Sequence, residues 1–369
     1  MACLCILAGT LLAGCGAAED TAGGGEEPVN RQFFAMDTYM TVTAYGENAA
    51  EATEAAEAEV NRLDAMLSTG NEDSEISGLN SKGRAVLSEE AGSLVERGLA
   101  MYAATEGCFD IAIYPIMAAW GFTDQNYRVP TDEELKELLP LTDASRISCH
   151  DAESKKGEPG VEVSFQKDGM AIDLGGIAKG YTSSKIMDIY REHGVTSGMV
   201  SLGGNVQVLG TKPDGSNWRV AVQDPGADDI AAEDGASADS GEDSAAAGTE
   251  TQTYLGILEA ADMAIITSGA YERNFTQSGK LYHHIIDPKT GKPADSGLRS
   301  VTIVSKDGTL ADALSTSLYI MGKEKAIDYW HEHKDQFDFI LMDKENELYV
   351  SEPIAEQFIS ETYHVTTVK

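Results

Sequence analysis

The chain has 369 residues, long enough for one large domain or two ordinary ones, and 42% apolar with 24% charged residues is an ordinary globular balance. Its 27 Lys and Arg stand against 61 Asp and Glu, a formal charge of −34. That excludes a surface that grips nucleic acid through its phosphates or an anionic bilayer through a basic patch, and no apolar run reaches the roughly 18–20 residues of a spanning helix.

Residues 2–13 form a short apolar stretch, the length of a signal-peptide core, ending in Leu12-Ala13-Gly14-Cys15. That ending resembles a bacterial lipobox, so residues 1–14 are expected to be a lipoprotein signal peptide. Cys15 then carries the lipid that holds the chain to the extracytoplasmic face of the cell membrane. No Lys or Arg precedes the apolar core, so the true start codon is expected upstream of Met1. Residues 15–32, small, acidic and Gly-rich, read as a flexible tether. Two other cysteines remain, Cys108 and Cys149, without C-x-x-C spacing. An oxidising compartment permits a disulfide between them, but their spacing does not establish one.

Phe33 to Tyr45 reads as a strand. Glu47 to Leu67 is an Ala- and Glu-rich helix with Val60, Leu63 and Leu67 on one face. Further helices are expected over Glu89–Thr105, from about Asp110, and over Thr131–Leu139, which Pro140 stops. Val161–Phe165 and Met170–Leu174 flank a turn at Lys167-Asp168-Gly169. Gly175-Gly176 opens a helix to about His193, and Gly198–Leu202 and Asn205–Gly210 read as strands. Residues 226–251 contain only small and acidic residues apart from Ile230. Such a stretch cannot bury enough apolar surface to offset its ordering entropy and reads as a disordered acidic insertion, between strands at Trp218–Val222 and Thr253–Leu258. Strands at Lys280–Ile286, Ser300–Ser305 and Phe337–Met342, with helices at Leu310–Met321 and Lys323–His333, complete an α+β pattern without a regular βαβ count.

Three stretches could carry chemistry. In A-I-D-L-G-G-I-A-K-G, residues 171–180, glycines after Asp173 let a ligand approach the backbone, the helix start offers N–H groups to an anion, and Lys179 adds charge. A strand–turn–helix junction with an Asp cap gives the same pattern. Asp312 and Thr316 share a helix face at i and i+4, hard oxygen donors suited to Mg²⁺; an Asp near a helix start with a back-bonded Thr is the plain alternative. His284, beside the turn-forming Asp287-Pro288-Lys289-Thr290-Gly291, ionises near neutral pH and could serve as a base or simply end a strand.

In order the chain reads M-D-T from 36, L-S-T-x4-S-E-I-S-x-L-N from 67, C-F-D-I from 108, I-D-L-G-G-I-A-K-G-Y from 172, S-L-G-G-N from 201, T-S-G-x-Y from 267, H-I-I-D-P-x-T-G from 284 and A-D-A-L-S-T from 311. This series resembles the FAD:protein FMN transferases, the ApbE-type flavin transferases, over roughly residues 33–350. The resemblance implies one α+β domain of mixed sheets and helices over 33–369, with room for two subdomains. It implies transfer of the FMN half of FAD to a Thr or Ser hydroxyl of an acceptor flavoprotein, with release of AMP. The acceptor would be a subunit of a membrane redox complex or an extracytoplasmic flavoprotein. Carried over residue by residue, FAD contacts fall on Met36, Cys108, Phe109, Asp110, Asp173, Lys179 and Ile286. Mg²⁺ falls to the Gly176 carbonyl, Asp312 and Thr316, with Ser315 a weaker candidate. Asp312, Lys179 and His284 are the expected catalytic groups, His284 as base. Two departures stand out: many relatives carry Tyr where this chain has Gly70, and Cys108 replaces a small residue. A FAD pyrophosphatase and a flavin-binding lipoprotein without catalysis are the competing readings.

Overall fold

The computed structural model describes residues 27–154, 157–226 and 254–369. The signal peptide, the lipidated Cys15 and, apart from Gly226, the acidic insertion lie outside the described residues. The backbone of the fold is a sheet of nine strands among the described residues, β1 (Val29–Ala35), β2 (Thr38–Ala44), β3 (Gly198–Leu202), β4 (Asn205–Leu209), β5 (Ala264–Gly269), β6 (Leu298–Ser305), β7 (Asp338–Asp343), β8 (Leu348–Ser351) and β9 (Val365–Val368). Spatial order equals chain order, and every neighbouring pair is antiparallel except β8–β9. β1 starts at Val29, inside the span read as tether.

The helices are α1 (Ala49–Leu67), α2 (Glu75–Lys82), α3 (Glu89–Ala104), α4 (Tyr114–Trp120), α5 (Asp132–Leu138), α6 (Gly175–Glu192), α7 (Gly308–Met321) and α8 (Lys323–Glu332). Helix α1 buries Ala52, Ala56, Val60, Leu63 and Leu67, the three-to-four spacing of a single apolar stripe. It packs with α6 over β1–β3, where Met40, Val42 and Val200 meet Ile186 and Tyr190. Along the rest of the sheet, period-two alternation sends residues to opposite faces. Ile266, Val301, Ile303, Phe339 and Leu341 lie in the core with α7 and α8, while Ile265, Val304, Ile340 and Met342 pack on a small sheet built from Trp218–Gln223, Tyr254–Ala260 and Phe358–Ile359. A second small sheet, Arg84–Ser88, Pro159–Phe165 and Ile147–Glu153, packs beside α3.

Three expectations change. Lys280–Ile286 is not one strand: Lys280–His283 pairs with Asn274–Gln277 and Ile286–Asp287 with Lys292–Pro293, and His284 lies in the break between them. Phe33–Tyr45 is not one strand but the β1–β2 hairpin, turned at Met36 and Asp37 with φ of 48° and 59°. Positive φ at both central residues is the turn whose twist matches a hairpin, although neither residue is the usual Asn or Gly. Met170–Leu174 is not a strand. The Asn80 side chain donates to the Ile172 carbonyl at 2.9 Å and accepts from its N–H at 2.7 Å, standing where a strand partner would. The motif containing Asn80 thus forms α2, capped by Ser74 and closed by Gly83 at φ 69°. Cys108 and Cys149 are both free thiols.

Candidate active site

A cleft of about 310 Å³ opens where the turns of the sheet meet the starts of α6 and α7. Helices α6 and α7 cross at Gly180 and Gly308. A Cβ on Gly180 would lie 2.1 Å from the Gly308 carbonyl oxygen, so only glycine permits this approach. The crossing brings the Gly180 N–H to Asp312 Oδ2 at 2.8 Å. The other oxygen accepts from Asn205 Nδ2 at 3.0 Å, delivered by the Gly203-Gly204 turn between β3 and β4. Asp312 is 4% exposed. Burial pushes its carboxyl up, opposed by Lys179 and by the two hydrogen bonds.

Just before α6, Asp173 Oδ1 accepts the Gly175 N–H at 2.7 Å in a local i to i+2 turn; the residue in the N-cap position is Leu174, so the expected strand-to-helix junction with an Asp cap is not formed. The Asp173 side chain also lines the cleft. Gly176 lets the Phe109 ring lie against the helix, since a Cβ there would sit 2.9 Å from it. Asp110 caps the short turn after Phe109 by accepting from Ala112 at 2.7 Å, and burial raises its carboxyl to about 6. The Cys108 thiol is likewise pushed up by burial.

His284 Nδ1 lies 3.2 Å from the Arg273 carbonyl. A carbonyl only accepts, so Nδ1 carries the proton and Nε2 keeps its lone pair. The surrounding walls strip solvent from the ring, and with Arg273 and Lys179 nearby they push it down to about 3. The ring nonetheless stays open to the cleft, and at neutral pH it is the uncharged base. Glu272, beside Arg273 in the segment after β5, is pushed up to about 7 by desolvation and by Asp312, against the pull of Lys179.

A model of the ApbE family matches residues 36–341. The chain belongs to the ApbE family. Among similar proteins, the FAD:protein FMN transferase of Treponema pallidum is 31% identical over 80% of each chain, and that of Klebsiella pneumoniae is 29% identical over 80% of this chain and 83% of its own. The solved ApbE protein of Thermotoga maritima superposes with a TM-score of 0.75 at 28% identity, covering 90% of this chain and all of that one. The ApbE fold is therefore the one described above, an α+β domain.

Of the residues expected in this ApbE-family site, Met36, Cys108, Phe109, Asp110, Asp173, Gly176, Lys179, His284, Ile286, Asp312 and Thr316 line the one cleft. Ser315 does not. It is fully buried, with its hydroxyl donating to the Asp312 carbonyl and paired with Ser268, both at 2.8 Å. Gly70 does not line the cleft either; a Cβ there would meet only Ser68 Oγ, at 3.8 Å. Three participants escaped the sequence reading: Asn205, Glu272 and Arg273. Asn205 stood in plain view at the end of S-L-G-G-N, and Glu272 followed T-S-G-x-Y. Their roles depend on approaches between distant segments that no local pattern encodes.

Proposed function

We propose that the chain is an FAD:protein FMN transferase, lipid-anchored through Cys15, that moves the FMN half of FAD onto a Thr or Ser hydroxyl of an acceptor flavoprotein and releases AMP. The observation that carries this reading is Asp312, a nearly fully buried carboxylate held by the Gly180 N–H and the Asn205 amide at the floor of a cleft that also holds Lys179 and His284. An anion so buried calls for positive charge beside it. Among the described residues there is no cluster of three or more His, Cys, Asp or Glu. One carboxylate with a hydroxyl and a carbonyl nevertheless suits Mg²⁺, which takes its remaining ligands from phosphate and water. Asp312, Thr316 and the Gly176 carbonyl would hold it, and it would supply positive charge at the FAD pyrophosphate.

The chain's own groups account for the rest. Lys179 stands in the cleft to neutralise the pyrophosphate, and Met36, Phe109, Asp110, Asp173 and Ile286 line the space for flavin and nucleotide. His284 Nε2 accepts the proton of the acceptor hydroxyl. The hydroxyl oxygen forms a bond to the phosphorus of the FMN half as that phosphorus loses its anhydride bond to AMP. Catalysis of this kind is chiefly positioning and charge neutralisation. The acceptor is a subunit of a membrane redox complex or an extracytoplasmic flavoprotein. Membrane attachment is checked by whether Cys15→Ser frees the chain from the membrane fraction.

The deciding experiment is a mass spectrum of an acceptor domain incubated with the protein, FAD and Mg²⁺. The expected result is a gain of one FMN less water, with AMP released, lost on EDTA addition and lost in Asp312→Ala. Free FMN and AMP with an unmodified acceptor would instead make the protein a pyrophosphatase, and intact FAD across several acceptors would make it a flavin-binding lipoprotein.

A further inference from the structure

Strand β1 ends the nine-stranded sheet, so one of its edges has no strand beside it among the described residues. Its residues pair with β2 in continuous register, with no bulge to twist that edge away. Sheets ordinarily blunt such edges with lysine, proline or bulges, because unpaired N–H and C=O groups invite another strand. Val29–Ala35 contains neither lysine nor proline, and its one charged side chain, Arg31, is tied to Glu54 and Glu57.

The register fixes which backbone groups the edge offers. Ala35 and Thr38 close a two-residue turn as a hydrogen-bonded pair, and bonded and non-bonded pairs alternate from there. Gln32 and Phe34, opposite Thr41 and Tyr39, therefore turn their backbone groups away from β2. The Tyr39 carbonyl agrees with this alternation: it accepts from the Gly203 N–H, on the β3 side, at 3.2 Å.

The side chains beside that edge are as open as its backbone. Phe33, Met40 and Val42 pack toward α1 and α6, and the alternation of a strand sends Phe34 and Tyr39 to the opposite face. Phe34 is 60% exposed and Tyr39 81%, the two most exposed large apolar side chains among the described residues. Their rings meet edge to face, with centroids 5.3 Å apart. Asn30, Gln32 and Thr41 share that face, which on these two strands carries no charge in a chain of −34. Exposed aromatic rings set among uncharged polar groups are the composition of a protein contact. The turn joins this surface to the chemistry, because Met36, Asp37 and Thr38, between the two rings in the chain, line the catalytic cleft.

We propose that the open edge of β1, with Phe34 and Tyr39, is where the acceptor flavoprotein docks, through an extended, uncharged segment that adds beside β1 as a further strand. Backbone pairing supplies affinity, and an apolar side chain of the segment rests on the ring pair. The segment then runs past Met36 and carries its Thr or Ser hydroxyl into the cleft. This inference rests on the transferase reading, since an enzyme that modifies a protein needs a docking surface at the mouth of its cleft.

The test titrates an acceptor domain that gains FMN against the parent, Tyr39→Ala and Gln32→Pro at saturating FAD. The proline removes an N–H that β2 does not use, a position where an edge strand tolerates it. Each variant is expected to raise the KM for the acceptor about tenfold, with kcat at saturating acceptor, FAD affinity and Tm unchanged. An unchanged KM in either variant overturns the proposal. So does a parent dimer that Gln32→Pro dissolves without moving KM, which makes the edge a contact between copies of this chain. If the parent modifies no acceptor, the transferase reading falls and this inference with it; a parent that transfers FMN no better than both variants refutes this inference alone.

Discussion

Replacing a helical glycine by alanine ordinarily stabilises a protein, by about 0.5–1 kcal/mol. Gly180→Ala is expected to do the opposite. The new Cβ would lie 2.1 Å from the Gly308 carbonyl oxygen and 2.6 Å from Asp312 Cβ, and the backbone oxygen cannot rotate away. Forcing α6 and α7 apart costs about 1–3 kcal/mol as overpacking. Loss of the Gly180 N–H from a buried carboxylate costs about 1.5–3 kcal/mol more. After the helix-propensity gain, the net loss is about 2–5 kcal/mol. Gly78→Ala is the matched control: it is also inside a helix, and its Cβ would meet nothing within 4 Å. That variant is expected to gain about 0.5–1 kcal/mol. Equilibrium urea denaturation at constant m-value reads both. A Gly180→Ala protein as stable as the parent would refute the claim that this crossing sets the position of Asp312.

Asp110 keeps its proton in the folded state up to about pH 6, whereas the unfolded chain releases it near 3.8. Stability therefore falls as pH rises through that window, by about 3 kcal/mol; Asp110→Asn lacks this component, so the stability difference between parent and variant should change by that amount across the window, and a difference independent of pH would contradict the burial argument. His284→Gln should slow FMN transfer by about 10²–10⁴-fold with FAD affinity retained, measured by single-turnover transfer beside an equilibrium FAD titration; an unchanged rate removes His284 as the base.

Much of the fold was legible because its signals are local. Helix α1 announces itself by apolar spacing, and α5 by its acidic first turn and the proline that follows, to which the structure adds a Thr131–Glu134 capping box. The strand order of the sheet was not legible, because β2 pairs with β3 across more than a hundred and fifty residues and only β1–β2, β3–β4 and β7–β8 are joined by short hairpins. What escaped were places where side chains replace backbone partners or where distant segments touch. The β1–β2 turn was invisible because Met36-Asp37 lacks the usual turn residues, and residues 170–174 looked like a strand until Asn80 was seen holding them. At the site, motif order named the residues that converge. It could not name the partners of Asp312, because the need for Asn205 arises only when α7 meets the β3–β4 turn.

Those partners have a consequence for how the protein matures. The hairpins of the sheet close between near neighbours in sequence and can form early. Asp312, by contrast, takes its donors from residues 132 and 107 positions upstream. A chain still emerging during synthesis, or cut short before α7, can build the first four strands and α6 yet possesses no charged floor beneath its cleft. The polar heart of the cleft is thus a late product of folding, and its formation certifies that both ends of the domain have come together.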